Sequence, residues 1–336
     1  MKTPASAASV LLGTASIDSP QVFPEPAQGP PYVRDNFNSS ITYQQGVNVS
    51  DTMKFSDAWL ARLAVSQDWF HVVNYAVTGA VLPGYNDNGA SPTASLIFKP
   101  RADMTTYVTY ASSLQAGDTA PGTAANAGQS LAPYRSKEIE LGFKTSLHDM
   151  DFYAALFRID RPFANTDIAD NAFKVTGTQL NKGLELSLVG HVVPSLVVYG
   201  GFTVLSAKLN DTGNATTNGK DFVGQPKYKG NVLFEYSPPA LAGLTAIADW
   251  FYSSKRAGND TNSFYSPAYN VFDVGARYAA RIAGAQALWR LTVNNVGDER
   301  YWSTIAPSNL TGTNTGNLVA HLGAPRTISA SVSIDF

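Results

Sequence analysis

The sequence contains no cysteine among its 336 residues, so disulfide bridges and thiolate metal sites are excluded. Charged residues are scarce, at 15% of the chain, against about 25% in an average soluble domain. The 24 basic and 26 acidic residues nearly cancel, and no basic run is present, which argues against a nucleic-acid partner. No stretch approaches the ~18 apolar residues of a membrane-spanning helix.

Recognisable catalytic and metal-binding motifs are also missing. The four histidines, His71, His148, His191 and His321, are scattered without metal-ligand spacing. No G-x-S-x-G, H-E-x-x-H or P-loop sequence occurs. We therefore predict no catalytic residue, no protein-bound metal and no cofactor, and we expect that the protein is not an enzyme.

Strand-forming and turn-forming residues take the place of the missing charge. The chain is rich in Ser, Thr, Asn and Gly, and it has 16 Tyr, 17 Phe and 5 Trp. Apolar and polar residues alternate with a period of two in many segments, as in 327–336 and 138–144. This period is typical of β-strands with one apolar face, so we predict an all-β chain.

The predicted connections alternate between short and long. Short turns are expected at 53–58, 99–103, 147–150, 192–195, 238–243 and 281–285. Long polar connections are expected at 19–37, 78–90, 113–134, 161–171, 208–225, 255–268 and 297–325. About fourteen antiparallel strands with short turns at one end and long loops at the other are typical of an outer-membrane β-barrel.

The two faces of the predicted strands favour the same interpretation. Charged residues occupy one face, and aliphatic or aromatic residues occupy the other. A lipid-facing Arg or Lys costs ~2–4 kcal/mol at the bilayer midplane, so the charged face is expected to line the lumen. The alternative is a soluble β-sandwich that buries the apolar face as its core.

Segments along nearly the whole chain resemble the TonB-dependent outer-membrane receptors, in particular the ferric-siderophore branch. The stretch 134–144 carries a Glu-x-Gly-x-Lys pattern as Glu140, Gly142 and Lys144, and 181–203 carries Gly183-Leu-Glu185. Further matching segments follow in the family's order: 46–59, 91–117, 224–237, 267–278, 291–302 and 323–336. Each motif is weak alone, but together they are specific.

The resemblance implies a receptor barrel of roughly twenty-two strands that takes up ferric siderophores through the TonB complex. No TonB box, plug sequence or signal peptide is recognisable before the first strands, and residues 1–18 resemble a mid-barrel strand. We therefore expect the whole chain, 1–336, to be the carboxy-terminal part of such a barrel. The TonB complex is then a partner only where the amino-terminal part is supplied.

Candidate functional residues follow from the predicted faces and loops. Charged lumen-facing residues are expected to pair with one another, to contact a plug or to steer a ligand: Glu140, Arg158, Glu185, Asp273 and Arg277. Aromatic and cationic residues near the long loops are candidate contacts for a ferric siderophore: Tyr85, Tyr134, Arg256, Tyr265 and Trp302. Iron itself would be held by the siderophore's own oxygens.

The alternation of 327–336 predicts that the last residue, Phe336, ends a strand in the lipid-facing register. Such terminal aromatic strands resemble the signal that barrel-assembly machinery recognises for insertion, although Phe336 can also simply extend the apolar face. Outer-membrane lipid is therefore an expected partner as well. A different function stays open, which is a self-closed, porin-like passive channel of about fourteen strands. An outer-membrane hydrolase would need a nucleophile–base pair that the motifs do not reveal.

Overall fold

The computed structural model describes residues 2–4, 13–14, 16–24, 36–38, 40–76, 78–282, 284–307 and 318–335. The strands in these ranges are β1 (Lys2–Pro4), β2 (Asn36–Asn38), β3 (Ser40–Lys54), β4 (Trp59–Tyr75), β5 (Val81–Arg101), β6 (Met104–Gln115), β7 (Tyr134–Leu147), β8 (Met150–Thr166), β9 (Phe173–Val193), β10 (Leu196–Asn210), β11 (Tyr228–Tyr236), β12 (Leu244–Ser253), β13 (Arg256–Ala257), β14 (Tyr265–Ser266), β15 (Tyr269–Ile282), β16 (Ala285–Asn294), β17 (Trp302–Pro307), β18 (Leu318–Leu322) and β19 (Thr327–Asp335). None of the described residues is helical, so no helix among them is able to cross a bilayer.

Thirteen of these strands form one antiparallel sheet. Its order follows the chain, from β3 at one edge through β4 to β12, then β15, β16 and β19 at the other edge. Three small hairpins, β1–β2, β13–β14 and β17–β18, stand apart from it. The all-β antiparallel prediction is therefore confirmed, with thirteen sheet strands in the described part where about fourteen were expected. The proposed strand over residues 1–18 lies mostly outside the described residues.

The connections are short at one end of the sheet, as predicted. Two residues separate β7 from β8 and β9 from β10, and four separate β3 from β4. In the first of these hairpins His148 has a φ of 54°, which is a conformation that two-residue hairpin turns require. The opposite end carries the connections 116–133, 167–172, 211–227, 254–268 and 295–326.

One predicted long loop is wrong. Residues 78–90 were expected to form a connection because they are rich in Gly, Asn and Pro, yet β5 already begins at Val81. The first ten residues of β5 pair with the far half of β4, for example Asn86 with His71 and Tyr85 with Val72. A strand that extends beyond the bilayer has water on both faces, so it needs no apolar face. The composition of 78–90 therefore resembles that of a loop although most of the segment is strand.

The cross-strand register separates an apolar face from a polar face. Ile139 and Leu141 in β7 share a face with Leu156 in β8 and with Leu184 and Leu186 in β9. This apolar face stays open, with Leu141 50%, Phe272 52% and Leu291 51% exposed. A soluble sandwich would bury these side chains against a second sheet. In a bilayer the lipid chains cover them instead.

Candidate functional site

The Glu140-x-Gly142-x-Lys144 pattern forms a cluster on the polar face around Tyr107. A Cβ on Gly142 would lie 2.1 Å from Cζ of Tyr107, so only glycine lets the Tyr107 ring cross β7 here. The Tyr107 hydroxyl donates to Oε1 of Glu140 at 2.6 Å, and it lies 3.3 Å from the Tyr153 hydroxyl. Lys144 Nζ lies 5.5 and 5.4 Å from the two ring centroids, within cation–π range.

The register explains why sequence reasoning missed the two tyrosines. Tyr107 lies opposite Gly142 and Tyr153 lies opposite Lys144, each on a neighbouring strand. A single sequence does not show which residues are paired across strands. Glu140, a predicted lumen-facing residue, therefore sits in an aromatic and cationic setting at the polar face.

Glu185 lies on the same polar face, opposite Ala155 in β8 and Thr203 in β10. Two residues before it, Gly183 leaves room for the Phe157 ring, whose Cζ would be 2.5 Å from an added Cβ. Both glycines of the sequence motifs thus make space for an aromatic ring from the neighbouring strand. This packing gives each motif a structural reason.

Asp273 and Arg277 also share the polar face and are held by protein partners. The Arg277 guanidinium makes two bonds to the Glu235 carboxylate, at 3.0 and 2.9 Å, which reach from β15 across β12 to β11. Asp273 Oδ1 accepts a bond from the backbone N–H of Asn295 at 2.6 Å. Arg277 is thus paired with a charged side chain, whereas Asp273 is bonded to a backbone N–H.

Arg158 lies on the other face, so its predicted lumen-facing position is wrong. It is paired with Ile139 in β7 and with Lys182 in β9, in the register of the exposed leucines. Its guanidinium contacts the Asp160 carboxylate at 2.9 Å, and its side chain is 51% exposed. The reason for the misplacement is that β8 carries apolar residues in both of its alternating positions.

The long-connection end holds the five candidate ligand contacts. Tyr134 is 4% exposed, and its hydroxyl donates to Asp118 Oδ2 at 2.9 Å while it accepts from the Asp118 N–H at 2.7 Å. The Tyr85 hydroxyl accepts from the Gly117 N–H at 3.2 Å. Both tyrosines therefore hold the connection 116–133 against the sheet.

Arg256 and Trp302 join two other connections. Arg256 is 4% exposed, donates to the carbonyl oxygens of Trp302 and of Ser303, the latter at 3.1 Å, and packs on the Tyr269 ring. Burial lowers the pKa of its guanidinium. The Trp302 indole donates to the Ile17 carbonyl at 2.8 Å. Arg256 thus has little surface for a ligand, and its contacts give it a bracing role.

Tyr265 is partly exposed, with Lys255 Nζ 4.8 Å from its ring centroid. Phe336 lies outside the described residues. No group of His, Asp or Glu able to hold a metal occurs within the described ranges.

Comparison with known proteins gives a consistent result. Residues 10–296 match the family described as "TonB dependent receptor-like, beta-barrel". The chain is 29% identical over 324 residues to the ferrichrome receptor FcuA of Yersinia enterocolitica, covering 94% of this chain and 41% of that protein. It is 25% identical over 292 residues to the probable TonB-dependent siderophore receptor PiuA of Acinetobacter baumannii, covering 80% and 38%.

A solved structure shows the same fold. The ferric preacinetobactin receptor BauA from Acinetobacter baumannii aligns with a TM-score of 0.74 and 28% identity, over 93% of this chain and 45% of that one. The chain therefore spans less than half the length of these relatives. With a family match over most of its length and the same fold, it belongs to the TonB-dependent receptor β-barrel family of the bacterial outer membrane.

Proposed function

We propose that this protein forms the carboxy-terminal part of an outer-membrane receptor barrel for ferric siderophores. The observation that carries the proposal is the 29% identity with a ferrichrome receptor over nearly the whole chain. The likeness to a ferric preacinetobactin receptor at 28% identity points to the same class of ligand. The family is made up of receptors and transporters, and we infer a role in binding and transport without a catalytic step.

The ordered connections at one end of the sheet are the proposed capture surface. The connection 116–133 is held closed by the pairing of Thr119 with Ser130. It also contacts the next connection, where the Asn171 side-chain amide donates to the Thr123 carbonyl at 3.0 Å. Connections braced in this way present a preformed surface, which lowers the entropic cost of binding a bulky chelate.

The polar face is the proposed path and plug-contact surface below these connections. Glu140, Glu185 and the Arg277–Glu235 pair lie there, and a polar interior is usual in this class of barrel. The TonB complex would act where a plug and a TonB box accompany this barrel segment. Barrel-assembly machinery is a further proposed partner, as for other outer-membrane barrels.

The topology gives less support to the passive channel. The edge strands β3 and β19 both run from the long connections toward the short turns, because an even number of antiparallel steps separates them. They are therefore parallel to each other, and pairing them would break the antiparallel pattern of the sheet. A further strand of opposite direction is needed to close the barrel.

A binding assay tests the proposal on the protein itself. The 336-residue chain in detergent is titrated with ferric hydroxamates and ferric catecholates, and binding is followed by quenching of tryptophan fluorescence. The iron-free chelators are the control for each compound. We expect saturable quenching by at least one ferric form.

A shortened loop locates the site. Because Thr119 pairs with Ser130, the residues between them can be replaced by Asn-Gly, a two-residue hairpin turn, without moving the strands. This variant should fold and lose affinity for the chelate. Equal quenching by iron-free and ferric forms, or full affinity in the shortened variant, would contradict the proposed capture surface.

A further inference from the structure

Basic residues gather on the lipid-facing side of the sheet, close to the long connections. Lys182 is paired with Arg158 in β8 and with Ser206 in β10, and Lys137 is paired with Asp160. Charged side chains on this face are costly inside hydrocarbon. Their position therefore needs an explanation other than the hydrated lumen.

The depth of these basic residues in the bilayer explains their position. Arg158 lies eight positions after Met150, where β8 begins, and Lys208 lies twelve after Leu196, where β10 begins. At ~3.4 Å per residue and a strand tilt of ~40°, these residues lie ~20 and ~30 Å above the short turns. The apolar band of such barrels is ~25 Å tall. Lys208 thus lies just above the upper edge of this band, at the depth of the lipid headgroups. Arg158 lies about 5 Å below that edge, a distance that its long side chain can span to reach the headgroups.

A pocket of about 800 Å³ opens beside them, between the outer ends of β10 to β12 and two connections. We call it the basic outer pocket, and its defining residues are Lys208, Lys227, Lys255, Tyr228, Tyr252 and Tyr265. Tyr228 and Tyr252 stand on the lipid-facing side in register with Val204 and Gly230. Ser206, which faces Lys182, also lines the pocket.

Positive charge exceeds negative charge at this surface. The six cations of the pocket and of the lipid-facing side of β7 to β9 are Lys137, Arg158, Lys182, Lys208, Lys227 and Lys255, against the two carboxylates of Asp160 and Asp221. Arg158 is paired with Asp160, and Lys208 Nζ lies 3.5 Å from Asp221. Within the described ranges, the other four cations form no ion pair.

We propose that the basic outer pocket binds the phosphorylated headgroup of a lipid in the outer leaflet. The lysines provide charge for phosphate, the tyrosine rings provide faces for a sugar, and the apolar strands below provide a surface for acyl chains. The volume lies in the range of pockets that hold small molecules. Tyr265, predicted as a siderophore contact, lines this pocket as well.

Lipid binding to the detergent-solubilised chain tests the assignment. The probe is fluorescently labelled lipid A, a phosphorylated glycolipid, and its anisotropy is measured in an uncharged detergent. The pocket variant is K208Q/K227Q/K255Q. The matched control, K54Q/K99Q/K229Q, removes three exposed lysines from β3, β5 and β11, and K208R/K227R/K255R keeps the charge. The β-sheet signal in far-ultraviolet circular dichroism checks that every variant is folded.

We expect the pocket variant to bind lipid A about 100-fold more weakly, since each lysine near an anionic lipid contributes about a factor of five. The control and the arginine variant should bind like the unmodified chain. Inorganic phosphate and unlabelled phosphatidylcholine should not compete. Equal affinities of the pocket and control variants would overturn the assignment. Full displacement of lipid A by inorganic phosphate would identify a site for free anions. Displacement by phosphatidylcholine would identify a site that binds acyl chains only. Either result would also overturn the assignment.

Discussion

Replacing Gly142 with alanine should force the Tyr107 ring out of its place on the polar face. The new Cβ would lie 2.1 Å from Cζ and 2.4 Å from the hydroxyl oxygen of Tyr107. Moving the ring breaks its hydrogen bond to Glu140, which is worth about 1.5–3 kcal/mol when the acceptor is charged. It also weakens the Lys144 contact, worth about 0.5–1 kcal/mol at an exposed site. The expected loss of unfolding free energy is about 2–4 kcal/mol.

Urea unfolding in detergent micelles, followed by tryptophan fluorescence, measures this loss. Gly200→Ala is the matched control, because the nearest atom to its added Cβ is Leu188 Cγ at 3.3 Å, a carbon of a flexible side chain that needs to move by only a few tenths of an ångström. The control should lose less stability. In a Tyr107→Ala background, Gly142→Ala should cost little, since the ring is gone. Equal losses for the two glycines, or an unchanged loss without the ring, would refute the reasoning.

Three further results are expected. Leu141→Arg should reduce stability in bilayers by ~2–4 kcal/mol, and Thr109→Arg on the polar face should reduce it far less; urea titration in vesicles compares them. Arg256→Met should remove the guanidinium donor from the carbonyl oxygens of Trp302 and Ser303, so that the connections 254–268 and 295–326 become sensitive to protease. Unchanged digestion would contradict the bracing role. Lys174 holds the pKa of Asp167 below its ordinary value of 3.8. The ion pair therefore stabilises the connection 167–172 at pH values above 3.8, and this stabilisation is lost as the pH falls through the lowered pKa. Hydrogen exchange in this connection should accelerate only at strongly acid pH.

The strands, their two faces and the short turns were predictable because the alternation of apolar and polar residues records which side meets lipid. The face of Arg158 was not predictable in this way. In β8 the residues Phe152 and Leu156 alternate with Phe157 and Ile159, so both phases are apolar. Only the pairing with β7 and β9 fixes the phase, and pairing is a property of the folded sheet.

The candidate site was predictable in its location more than in its residues. Tyr134 and Arg256 were chosen because aromatic and basic side chains suit a ferric chelate, yet both are 4% exposed. Their partners, the Asp118 backbone and the Trp302 carbonyl, belong to connections whose folded path no local pattern specifies. The glycine of the Glu-x-Gly-x-Lys pattern was visible, but the Tyr107 ring that requires it comes from another strand.

Spin-label accessibility tests the central claim, that one face of the sheet meets lipid and the other meets water. The chain has no cysteine, so single cysteines can be introduced directly at Leu141, Leu186 and Phe234 on the apolar face and at Thr109, Ser187 and Asn231 on the polar face. In lipid vesicles, labels at the first three should collide mainly with oxygen, and labels at the last three with a water-soluble nickel chelate. Equal access of the nickel chelate to both sets, or the reverse pattern, would contradict the account.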